Sequence, residues 1–111
     1  MGRDVFIRVL NKDEKEKVDQ NGWYTQSEDE YAVCDILHYL RSPYNMYIEC
    51  HVGPYTYEEL MGKIAELASF HYAADADAET KKQVAEAIMV YGWAAHKLAD
   101  EGKEYVYVEY S

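Results

Sequence analysis

The spacing of apolar positions changes period several times along the chain, and each change marks an element. In "DVFIRVL", Asp4 to Leu10, Val5, Ile7 and Val9 alternate with Phe6, Arg8 and Leu10, which predicts a two-faced strand. "NKDEKEKVDQNG" has no apolar stripe, and its charge predicts a solvated helical turn or loop closed by Asn21 and Gly22. "SEDE" sets Ser27 ahead of Glu30 at capping-box spacing. It predicts a helix over Glu28 to Arg41 with Val33, Ile36, Leu37 and Leu40 inward, ended by Pro43.

Alternation returns in "NMYIECHVG", with Met46, Ile48, Cys50 and Val52 inward, Tyr47, Glu49 and His51 outward, and Gly53 and Pro54 as terminators. "TYEE" is a second capping box, Thr56 with Glu59, opening a helix over Tyr57 to Ala74 with the stripe Leu60, Ile64, Leu67 and His71. Asp77 caps a third helix, Ala78 to Asp100, with the stripe Val84, Ile88, Tyr91, Ala95 and Leu98, and Gly102 stops it. The final strand, Gly102 to Ser111, turns Val106, Val108 and Tyr110 to one side and Tyr105, Tyr107 and Glu109 to the other.

This order predicts an α+β fold in one domain, 1–111: a small sheet of about three strands, antiparallel or mixed, packed on one face by three helices. The sheet's inward face would carry Val5, Ile7, Val9, Ile48, Cys50, Val106 and Val108. Its outward face would collect Phe6, Arg8, Tyr47, Glu49, His51, Tyr105, Tyr107 and Glu109.

Composition changes this picture in two ways. The chain has 111 residues and a formal charge of −10, and the charge is uneven. Met1 to Gln26 holds five acids and five bases, Ser27 to Met61 seven acids against Arg41, and Gly62 to Ser111 nine acids against five lysines. Such a surface repels nucleic-acid phosphate and anionic membrane and attracts basic proteins or cations. There are also twelve Tyr against two Phe, and Tyr suits positions where one end of a ring is buried and the other wet, as at interfaces. Two cysteines, no apolar run of membrane-spanning length and no export signal point to a reduced, cytoplasmic setting.

Chemistry-bearing motifs are sparse. Cys34 and His38, four residues apart, could meet Cys50, but that supplies three ligands at most, and no CxxC or HExxH spacing accompanies them. His71 and Asp75, like His96 and Asp100, have the spacing of ordinary helix-surface neighbours. There is no GxSxG elbow and no Gly-rich phosphate loop, and the acidic pairs at helix starts are explained by capping and the helix dipole. No cofactor, metal or catalytic residue is expected.

The leading expectation is an acidic, non-enzymatic binding or inhibitor protein whose partner is a basic protein of the nucleic-acid-handling kind. Carboxylates and Tyr on a small rigid fold would imitate a phosphate backbone. In this it is similar as a class to phage-encoded anti-defence proteins such as anti-CRISPRs, though no motif ties it to one of them. The expected contact residues are Glu28, Asp29, Glu30, Asp35, Tyr47, Glu49, Tyr105, Tyr107, Glu109 and Trp93. A second reading is a homodimer or small-complex subunit using the third helix around Trp93 or the Tyr face of the sheet. A third is a small metal- or His-dependent enzyme built on Cys34, His38 and His71.

Overall fold

In the computed structural model, which describes residues 5–21, 30–32, 45–48, 52–71 and 75–110, seven elements follow one another. They are β1 (Val5–Leu10), α1 (Lys12–Asn21), β2 (Glu30–Ala32), β3 (Val52–Tyr55), α2 (Tyr57–His71), α3 (Ala78–Glu101) and β4 (Tyr105–Tyr110). The strands form one sheet in the order β2-β1-β4-β3, every neighbouring pair antiparallel. The two strands with the clearest alternation, β1 and β4, are therefore central. They pair along their whole length, from Val5 opposite Tyr110 to Leu10 opposite Tyr105. The fold is α+β with a small sheet, as its periodicity predicts.

The inner face of that pair carries Val5, Ile7, Val9, Val106 and Val108, all fully buried. Over it lies α3, which contributes Val84, Ala87, Val90, Tyr91, Ala94, Ala95 and Leu98 to the same core, while α2 adds Leu60 and Leu67. Burying such side chains is worth about 1.5–3 kcal/mol each in transfer terms, which makes this layer the main source of stability. The two long helices run antiparallel. Lys63, midway along α2, lies beside Tyr91, whereas Phe70 near the end of α2 and Gln83 near the start of α3 both meet the turn at 45–48.

Local chemistry fixes the helix ends. The Asp77 carboxylate accepts from the Thr80 amide at 2.7 Å, and that amide together with the Thr80 hydroxyl holds the carboxyl below its ordinary value. At the far end of α3, Gly102 takes the left-handed conformation at φ 64° and donates to the Ala99 carbonyl, while Lys103 donates to Leu98. The Thr56 hydroxyl accepts from the Glu59 amide and donates back to the Glu59 carboxylate, closing the box that opens α2.

Three expectations are corrected. Glu30 to Ala32, expected in the first turn of a helix from Glu28 to Arg41, pair with β1 instead as a fourth strand of three residues; 33–41 lie outside the described residues. Asn45 to Ile48, expected to begin a strand, form a turn, and Met46, expected inward, is 65% exposed. Gly53 and Pro54, expected to terminate that strand, lie inside β3. Pro is tolerated there because β3 is an edge strand and can leave one amide position unpaired. Among the described residues, no helix is long and apolar enough to cross a membrane.

Candidate interaction surfaces

The outward sheet face has a different character from the one its Tyr content suggests. Phe6, Arg8 and Leu10 share it with Tyr105 and Tyr107, since Leu10 pairs with Tyr105 and Arg8 with Tyr107. Leu10 and Tyr107 are buried against each other with Tyr105 packed on them, a second small core. Helix α1 closes this end, its Lys15 ammonium 5.4 Å from the centre of the Tyr105 ring. Tyr107 retains 8% exposure, too little to be the broad contact surface expected of it, while Tyr105 is half-buried. Glu109 lies in β4, and Glu30 is paired with Arg8 in β2.

The helix that covers this face is anchored by its own box and by one ion pair. The Asn11 side chain accepts from the Glu14 amide, and the Asn11 amide donates to the Glu14 carboxylate. Lys103, just beyond α3, donates to the same carboxylate at 3.1 Å, so α1 is tied to the far end of the chain. Partial burial pushes the Glu14 carboxyl up. The Asn11 amide, the hydrogen bond and charge of Lys103, and the Arg8 charge outweigh this and hold it below its ordinary value of 4.5. A carboxyl depressed on folding adds stability above its unfolded value, and the contribution fades as pH falls through the folded one. Glu14→Gln should therefore lower the urea midpoint at pH 7 and lose that effect in acid; an equal difference at both pH values would contradict the linkage.

The turn at 45–48 is held by a fully buried amide. Asn45 Nδ2 donates to the Gln83 carbonyl at 2.7 Å and, at 3.4 Å, to Glu86 Oε2, while its Oδ1 accepts from the Tyr47 amide at 2.9 Å. Glu86 is buried as well, and its Oε1 has no hydrogen-bond partner among the described residues. This anchoring sets Tyr47, half-buried, beside Phe70, with ring centres 6.2 Å apart. Met46, Tyr47, Lys63, Glu66, Leu67 and Phe70 line a shallow cleft of about 160 Å³.

The outer face of α2 is open. Glu58, Glu59 and Glu66 are exposed on it, together with Tyr57, Met61 and Phe70. The flanking Lys63 turns its ammonium toward the Tyr91 ring, 5.6 Å from its centre. These contact candidates escape a reading based on core stripes, although the signal was present: Tyr57, Met61 and Phe70 are large apolar residues that fall off the 60, 64, 67, 71 stripe. On α3, Trp93 is 38% exposed and Met89 47% exposed. The Lys97 ammonium stands 5.1 Å from the centre of the Trp93 indole, and the His96 ring is 6.0 Å away.

Glu28, Asp29, Asp35 and Glu49 lie outside the described residues, as do Cys34, His38, Cys50 and His51. Among the described residues, no group of three or more His, Cys, Asp or Glu side chains could hold a metal ion. No protein-family model, curated protein or solved structure matches the chain.

Proposed function

We propose that this chain is a non-enzymatic binding protein that docks by its acidic surface on a basic protein partner, and that the partner is one that handles nucleic acid. The observation that carries the reading is the outer face of α2, where Glu58, Glu59 and Glu66 stand exposed among Tyr57, Met61 and Phe70. Carboxylates steer a cationic partner into encounter, and exposed aromatic and Met side chains supply the short-range contact. The formal charge of −10 extends the same field over the whole chain. A partner whose own ligand is a polyphosphate backbone presents the complementary basic channel, which is why that class is favoured over a merely cationic surface.

The test is capture from a cell extract on the immobilised chain, followed by a salt gradient and, separately, by competition with a polynucleotide. Retained protein should be strongly basic, elute with rising salt and be displaced by the polynucleotide. Glu58→Lys with Glu66→Lys should slow association at least ~10-fold at low ionic strength and have a much smaller effect on dissociation. Retention indifferent to salt and to both substitutions would remove electrostatic docking. Retention that no polynucleotide competes with would remove the nucleic-acid-handling class.

A further inference from the structure

We infer that the exposed stripe of α3 is a contact between two copies of this chain, packed antiparallel about a twofold axis level with Tyr91. The inference rests on the order of side chains along one face and is independent of the basic partner. Lys82 and Asp100, both exposed, are eighteen residues apart, which is five full turns, so they point the same way some 27 Å from one another. Met89 and Trp93, the exposed large apolar residues of this helix, lie between them, two residues either side of the midpoint. The midpoint itself, Tyr91, is fully buried on the opposite side of the helix.

A twofold axis there sets each residue against the one equally far beyond Tyr91 in the other copy. Lys82 then meets Asp100 and Met89 meets Trp93, and each pair occurs twice. Parallel copies would instead set Lys82 against Lys82 and Asp100 against Asp100. Among the described residues, neither Lys82 nor Asp100 has an ion-pair partner within the chain. Trp93 is already positioned by Lys97 and His96, so little side-chain freedom remains to be lost on contact.

Gly92 adds a further observation. Inside a helix glycine is less stable than alanine, and close packing within the chain would be the usual reason for it. Yet among the described residues, its own helix backbone and chain neighbours aside, no atom comes within 4 Å of where its Cβ would sit, and it borders the Met89–Trp93 stripe. A second copy supplies the close neighbour that the described residues do not.

Sedimentation equilibrium across a range of protein concentrations tests this, at physiological salt, where a Debye length of about 8 Å screens the net repulsion between two acidic copies. The expected result is a reversible dimer. Trp93→Ala should weaken it at least ~30-fold, the loss typical of a central aromatic anchor. Lys82→Asp and Asp100→Lys should each weaken it by roughly 3- to 10-fold, and the two together in one chain should restore it, because the pairs are then reversed rather than broken. Circular dichroism of each variant confirms that these exposed positions leave the fold intact. A monomer at every concentration, a dimer unaffected by Trp93→Ala, or single charge reversals that the double substitution does not rescue would each overturn the inference.

Discussion

Asn45→Asp should destabilise the fold by about 4 kcal/mol at neutral pH, a large part of the 5–15 kcal/mol that holds a domain of this size together. The wild-type amide works because its two ends differ: Nδ2 donates to the Gln83 carbonyl and toward the Glu86 carboxylate, and Oδ1 accepts from the Tyr47 amide. A carboxylate keeps the second contact and inverts the first. It faces a carbonyl 2.7 Å away with no proton to offer, and it sets a second buried carboxyl beside that of Glu86. Folding in acid can supply the missing proton, so the new carboxyl is taken up protonated more readily in the folded than in the unfolded chain. The loss should be smallest below about pH 4, the ordinary carboxyl value, and grow as pH rises from there through the raised value of the folded chain. Adding Glu86→Gln to Asn45→Asp should recover about 2 kcal/mol, since the new amide can donate where two acceptors met. Urea unfolding of the two single variants and the double closes the cycle; strictly additive losses would show that Asn45 and Glu86 do not act on one another.

The same residue marks the limit of what the sequence discloses. Elements whose evidence is local were legible: the alternation of β1 and β4, the Thr56 box of α2, and the Asp77 cap and Gly102 stop of α3 are consequences of neighbouring residues alone. The turn at Asn45 depends on Gln83 and Glu86, some forty positions away, and the residues around it alternate well enough to imitate a strand. β2 is the reverse case. "SEDE" is a sound local capping signal, but Glu30 to Ala32 complete the pairing of β1 on its otherwise open side, and tertiary pairing overrides local preference.

Helix α1 was legible only as a solvated helical turn or loop, for a different reason. Ten residues rich in Lys, Asp and Glu carry no apolar stripe, so periodicity is silent, and only the Asn11–Glu14 spacing hints at a capped start. Its consequence for the contact surface is direct. Because α1 sits over Leu10 and Tyr105, Tyr105 and Tyr107 go into a second small core, and among the described residues the exposed rings lie on the helices instead. Charge, unlike shape, was legible from the start, since exposure of ionised side chains is the default that burial must overcome.

Gly53→Ala should cost on the order of 3 kcal/mol or more, for two reasons that add. The residue sits at φ 122°, a region essentially reserved for glycine, where an L side chain brings about 1–3 kcal/mol of strain. In addition, a Cβ built there would stand 2.7 Å from the Val106 carbonyl oxygen and 3.2 Å from Tyr107 Cα. Both are backbone atoms of the central strand β4, so relief requires β3 to move away from the sheet. Gly62 is the control: it lies inside α2, exposed, and among the described residues, its own helix backbone and chain neighbours aside, no atom comes within 4 Å of its Cβ position. Gly62→Ala should therefore raise stability by up to about 1 kcal/mol through helix propensity and reduced freedom of the unfolded chain. Urea denaturation should show the two midpoints moving in opposite directions at similar m, since any change in the surface exposed on unfolding is confined to one edge of the sheet. Two midpoints shifting the same way would mean that the packing of Gly53 against β4 does not govern the edge of this sheet. Because the added Cβ would also stand 3.2 Å from Tyr107 Cδ1, a moved β3 should loosen that ring, so Gly53→Ala should also raise Tyr107's exposure, measurable from tyrosine reactivity toward tetranitromethane with Tyr107 located by peptide mapping.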